Sequence, residues 1–177
     1  MHRAHLLLGS NLASPAAQLD RALALLPSHG VAVNAVSSYY ETMPVGAVAD
    51  QPAFVNAAAE VETGFEPLAL LDVLKNIEAA AGRNVHPASP GYVKDGPRVL
   101  DLDIALIDNL VLDDERLTIP HPRLLERRFA LIPLLELNFD LALPDGRRLS
   151  DALAALPLDG QDVVRLSGSA RAGASGP

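Results

Sequence analysis

Asp101 and Asp103 stand two residues apart inside the most apolar run of the chain, residues 99–107. In a strand, side chains at i and i+2 leave the same face, which puts the two carboxylates about 7 Å apart. Such a pair repels unless a cation sits between its members. Carboxylates joined by phosphate oxygens are the usual donors for Mg²⁺. Two such ions about 4 Å apart can clamp the oxygens of a phosphoryl transfer. The alternative is a wet sheet face with two surface carboxylates, although Asp is disfavoured in strand centres.

Other residues add to this chemistry. Phe54 and Asn56 share one face of a second strand. A ring offers stacking to a flat ligand, and a carboxamide offers a donor beside an acceptor; edge packing and a surface amide are the plainer alternative. Arg83 and Arg98 bracket a long loop, and Arg98 precedes Asp101 by three residues. A guanidinium fork there suits phosphate oxygens and charge developing in transfer. Arg116, His121, Arg123, Arg127 and Arg128 form a second basic cluster. Glu78 lies beside the apolar stripe of a helix, where partial burial is expected. The chain has neither a Walker A sequence nor a GxGxxG, so the common nucleotide-binding loops are not what would hold ATP.

Positioning these groups requires a sheet. Residues 4–8 read as a strand running into Gly9-Ser10-Asn11. A helix follows, with Ser14 as its cap, Pro15 in its first turn, and Leu19, Ala22, Leu23 and Leu26 as its stripe. Residues 31–40 and 54–62 alternate as strands. A second helix begins at Pro67, carries Leu70, Leu74, Ile77 and Ala81 on one face, and stops at Gly82. Residues 84–97 form a long loop, a type that is usually functional or disordered. In residues 99–107, Leu100, Leu102, Ile104 and Leu106 are expected to face the core. Asp108-Asn109 turns the chain into a short strand at 110–112. A helical stretch is expected from about Leu124, with Pro133 early in a second turn or helix, Asp145-Gly146 marks a hairpin turn, and Ser150 is placed as the cap of a last helix. The order β-α-β-β-α-β predicts an α+β sandwich, mostly antiparallel, with a ferredoxin-like core and helices over one sheet face. Residues 1–166 form one domain in this reading, and residues 167–177 are expected to be a disordered tail.

Composition narrows the function classes. The 177 residues are about half apolar and include no cysteine. Disulfides, thiolate metal sites and a cysteine nucleophile are thereby excluded. The formal charge of −8 argues against general nucleic-acid or anionic-membrane binding. Eight of the fourteen Lys and Arg fall between Lys75 and Arg128, which fits a local anion site as well as ordinary surface charge. With no targeting segment or membrane-length apolar run visible, a cytoplasmic protein is expected.

Six segments together resemble the 6-hydroxymethyl-7,8-dihydropterin pyrophosphokinase family. They are LGSNLASP (8–15), SSYYETMPVG (37–46), QPAFVNAA (51–58), IEAAAGR (77–83), GPRVLDLDIALI (96–107) and LTIPHPRLLERRFALIPLLEL (117–137). The resemblance implies a transfer of pyrophosphate from ATP to a pterin alcohol in folate synthesis, releasing AMP, by a monomer that uses two Mg²⁺ ions. It implies that Asp101 and Asp103 bind the metals and that Phe54 and Phe129 stack on the pterin. Asn56, with the backbone around Thr42, Pro44 and Val45, would read the ring edge. Arg83 and Arg98 would act on the phosphates during transfer. Lys75, Glu78, Ile104, Arg116, Thr118, His121 and Arg127 would hold the nucleotide. Where many members carry Arg-Trp before Gly-Pro-Arg, this chain has Lys94-Asp95, and Tyr92 and Lys94 are the expected replacements. Two other readings stand beside this one: a different Mg²⁺–ATP phosphotransferase or nucleotide hydrolase on the same fold, and a non-catalytic pterin or nucleotide binder. The Phe54/Asn56 pair speaks against the first, and the intact aspartates and arginines against the second.

Overall fold

The computed structural model describes residues 1–43, 52–82, 97–158 and 160–167. The expected ring-edge contacts at Pro44 and Val45, the arginine at 83, the Tyr92/Lys94 replacement and the tail beyond 167 lie outside them.

The centre is an antiparallel sheet. Strand β1 (His2–Ser10) lies between β4 (Phe54–Thr63) and β5 (Asp101–Ile107). The far edge of β4 pairs first with β2 (Val31–Val36) and then with β3 (Tyr40–Thr42). Helices α1 (Pro15–Leu25) and α2 (Pro67–Ala80) cover one face. There Leu6, Leu8, Ala57, Ala59, Leu102 and Ile104 meet Leu19, Leu70, Leu74 and Ile77 in the main core. This alternation is why the three central strands form: every second residue is apolar and fully covered.

The second face is not bare. Helix α3 (Arg128–Leu137) and helix α4 (Leu149–Ala155) cover its lower half, where Leu131 and Leu134 pack with Ala58, Ala105 and Leu106. The expectation of helices on a single face is therefore corrected. Its cause is a bulge: the β1–β5 register slips between His5 and Leu6, leaving Ala105 as the extra residue. The slip turns Leu106 from the expected core face to the second one, and the apolar patch it makes needs cover.

Four further expectations are revised. The strand at 31–40 is broken at residues 37–39, because Glu136 of α3 accepts hydrogen bonds from Ser38 N–H (3.0 Å), Ser38 Oγ–H (2.7 Å) and Tyr40 O–H (2.8 Å). Ser14 has φ 61° and makes no side-chain cap, and α4 begins at Leu149, ahead of Ser150. The short strand after the Asp108 turn is β6 (Leu112–Asp113), paired with β7 (Thr118–Ile119). Strand β8 (Val163–Arg165) pairs with β3 and had no sequence signal beyond two valines. The turn at Asp145-Gly146 is present, with Gly146 at φ 88°.

Candidate active site

The upper half of the second sheet face, left open by α3, is a cleft. Its floor is a row across three strands. Asn56 on β4 is the register partner of Gly9 on β1, and Gly9 is the partner of Asp101 on β5. One row further in, Leu7 stands between Ala58 and Asp103. Strand period puts Asp101 and Asp103 on one surface, as the spacing predicts, and the register across β1 brings Asn56 to the same surface. Phe54 lines one side of the cleft, and Phe129, in the first turn of α3, lines it too.

The polar groups of the floor are fixed by partners. Asn56 Nδ2 donates to Thr42 Oγ at 2.7 Å, which leaves its carbonyl oxygen toward Gly9. The Arg98 guanidinium donates to Asp101. The main chain of Arg98 is held by Asn11, whose Oδ1 accepts the Arg98 N–H at 2.7 Å and whose N–H donates to the Arg98 carbonyl at 3.0 Å. Asn11 Nδ2 also donates to the Pro52 carbonyl at 3.2 Å. Arg127 lies 5.5 Å above the Phe129 ring, a cation–π distance. Burial, reinforced by Arg123, lowers the Arg127 pKa, while Asp103 and Asp101 oppose the shift.

Among the described residues, the remaining expected ones do not line this cleft. They gather along the outer edge of β5. Glu78, on α2, is fully buried. Its Oε1 accepts the Leu102 N–H at 2.6 Å and the Lys75 ammonium at 2.8 Å. His121 donates its N–H to the Ala105 carbonyl at 3.0 Å. Burial lowers the His121 pKa, with Asp103 and Asp101 pulling against it and Arg127 and Arg123 adding to it. Thr118 is on β7, which packs on β5. The Arg116 guanidinium pairs with Asp72 of α2. The Ile104 side chain is in the main core at 2% exposure, so Ile104 offers a ligand only its main chain. Asp101 and Asp103 therefore stand between two groups of residues: an aromatic and amide slot on one side, and a basic edge on the other.

Asp101 and Asp103 fit a divalent cation. Among the described residues no set of three His, Cys, Asp or Glu is gathered to hold a metal. The Asp101 and Asp103 carboxylate oxygens are the hard donors that Mg²⁺ takes beside phosphate and water.

Gly9, Asn11, Glu126 and Gln161 were not expected at the site, and Arg123 was read only as part of the second basic cluster. Gly9, Arg123, Glu126 and Gln161 line the cleft, and Gln161 is drawn in by bonds to Arg128 N–H and the Glu126 carbonyl. A glycine inside an apolar strand was the one available signal, since it marks a close approach.

Known proteins resemble this chain in sequence and fold. Residues 5–139 match the model of the 7,8-dihydro-6-hydroxymethylpterin-pyrophosphokinase (HPPK) family. The chain is 44% identical over 175 residues to the 2-amino-4-hydroxy-6-hydroxymethyldihydropteridine pyrophosphokinase of Pseudomonas aeruginosa, covering 96% of this chain and 99% of that protein. It is 41% identical over 152 residues to the enzyme of the same name from Haemophilus influenzae, covering 85% and 91%. The fold is also that of the Plasmodium falciparum HPPK-DHPS crystal structure with SDX-DHP, at a TM-score of 0.62 and 16% identity, over 87% of this chain and 43% of that one. The chain belongs to the 7,8-dihydro-6-hydroxymethylpterin-pyrophosphokinase family.

Proposed function

We propose that the chain transfers pyrophosphate from ATP to the hydroxymethyl oxygen of 6-hydroxymethyl-7,8-dihydropterin, for folate biosynthesis, and that the open cleft holds the pterin. The observation that carries the reading is the floor row Asn56–Gly9–Asp101, which sets a flat-ligand slot against a metal-binding carboxylate. Phe54 and Phe129 take the two faces of the pterin, and Asn56, oriented by Thr42, reads its edge. Pro44 and Val45 are assigned to the same edge from sequence alone.

Asp101 and Asp103 would hold two Mg²⁺ ions, which neutralise phosphate charge when bound. The nucleotide lies along the outer edge of β5. Arg116, Thr118, His121 and Arg127 hold its ribose and phosphates, Lys75 and Glu78 stand beside it, and the Ile104 main chain meets its base. The hydroxymethyl oxygen attacks the β-phosphorus, and the bond from that phosphorus to the α–β bridging oxygen breaks. AMP leaves, and the hydroxyl proton passes to solvent. Arg98 and Arg83 bind the oxygens on which charge builds. The work of the site is positioning and charge neutralisation, which needs no protein nucleophile. A monomer in the cytoplasm completes the proposal; among the described residues no helix is long and apolar enough to cross a membrane.

The test is product analysis. The protein, ATP, Mg²⁺ and the pterin alcohol should yield equal amounts of AMP and pterin diphosphate, and Asp103→Ala or chelator should abolish both. ADP as the product would move the attack to another phosphorus and overturn the reading.

A further inference from the structure

The Lys75 ammonium is held at the edge of β5 by two acceptors: Glu78 Oε1 at 2.8 Å and the Leu102 carbonyl at 3.2 Å. Glu78 is itself fixed, being fully buried and bonded to the Leu102 N–H. The amine is therefore not a loose surface charge. From this position its Nζ lies 3.9 Å from Asp103 Oδ1. The Lys75 and Asp103 side chains are only 34% and 35% exposed, so water screens the pair incompletely.

We infer that Lys75 is a tethered cation that sets the metal affinity of the Asp101/Asp103 pair, disfavouring a free divalent cation and admitting one that arrives with the nucleotide. The inference rests on the metal site proposed above. A divalent cation at Asp103 meets the field of a positive charge that Glu78 and Leu102 prevent from retreating. An ammonium has three N–H donors and no acceptor. Glu78 and Leu102 take two, and a third can reach a phosphate oxygen once a nucleotide is bound. The polyphosphate then carries enough negative charge to offset both the metal and the ammonium. Lys75 thus acts through Asp103 as a positioning residue, and its contribution is to couple metal entry to nucleotide entry.

The test titrates the full chain with Mn²⁺, reading free ion by electron paramagnetic resonance, with and without α,β-methylene ATP. Lys75→Gln removes the charge but keeps a donor. Without nucleotide it should bind Mn²⁺ about tenfold more tightly than the parent chain, the size of one screened like-charge contact. Lys75→Arg should restore the parent affinity. With the analogue, parent and Lys75→Gln should converge. Because Lys75→Gln leaves the Glu78 carboxylate without its cation, the double variant Lys75→Gln/Glu78→Gln is measured beside it and should show a smaller gain of the same sign, since it removes the more distant negative charge as well. An unchanged or weaker affinity in both, while the parent chain still binds Mn²⁺ with the analogue, overturns this inference alone. No Mn²⁺ binding by the parent chain even with the analogue overturns the metal site and this inference together.

Discussion

A Cβ placed on Gly9 would stand 3.2 Å from Asn56 Oδ1, across the β1–β4 pair, and 4.0 Å from the Asp101 Cβ on the other side. Gly9 is the low point between the Asn56 amide and the Asp101 carboxylate. Asn56 cannot turn away freely, because its amide is tied to Thr42. Gly9→Ala should therefore weaken pterin binding about tenfold, a loss of about 1.4 kcal/mol, and leave ATP-analogue affinity within twofold. Fluorescence titration of each ligand reads both. Equal pterin affinity in the variant would mean that the ring does not cross Gly9.

Thr42 gives the second test of the slot. Its hydroxyl is the acceptor that selects the Asn56 rotamer, and both residues are buried. Thr42→Val keeps the shape and removes the hydroxyl. The unpaired amide should cost about 1–3 kcal/mol in stability or in pterin affinity, visible as a raised KM for pterin with kcat nearly kept. A variant with unchanged pterin KM and unchanged melting would show that the Thr42 bond does not orient Asn56.

Much of this site is legible in sequence because strand period is local. Asp101 with Asp103, and Phe54 with Asn56, share faces by counting in twos, and the structure puts all four along one cleft. What is not legible depends on pairing across distance. That Gly9 falls between Asn56 and Asp101 is a matter of register among three strands far apart in the chain. The bulge at Ala105 leaves the composition of β5 unremarkable yet reverses Leu106. The break at residues 37–39 looks like continuous alternation until Glu136 arrives from α3. Asn11 reads as a turn residue, and only its partners at Arg98 and Pro52 show it joining two segments of the site.

Asn11 and Arg98 make the third prediction. Arg98 reaches Asp101 with its guanidinium, while its main chain is bonded at both N–H and C=O by Asn11. Arg98→Ala should lower kcat about 10²–10³-fold, as for other groups that meet developing charge, with a much smaller change in pterin KM. Asn11→Ala should reproduce part of that fall, because it loosens the same arginine. In the double variant the losses should be less than additive. Full additivity would show that Asn11 acts on something other than Arg98.

The last prediction concerns the covered half of the second face. His5 is buried, and its Nε2 lies 3.6 Å from Glu60 Oε2. Burial lowers its pKa from 6.5, Glu60 and Asp108 pull it upward, and Arg3 pushes it down. The folded protein then binds fewer protons than the unfolded chain just below that ordinary value. Stability should be fully present above about pH 6.5, fall as the pH drops toward the folded pKa, and level off beneath it. Glu136 acts in a lower window. Burial raises its pKa, but the donors on Ser38 and Tyr40 outweigh that and hold it below 4.5, so its contribution is lost only as pH falls through that depressed value. Urea midpoints at about pH 7.5 and about pH 5 bracket the histidine window alone. His5→Gln should flatten the change between them, leaving a residual slope from His121, which burial also lowers. An undiminished slope would mean that the proton taken up on acidification does not go to His5.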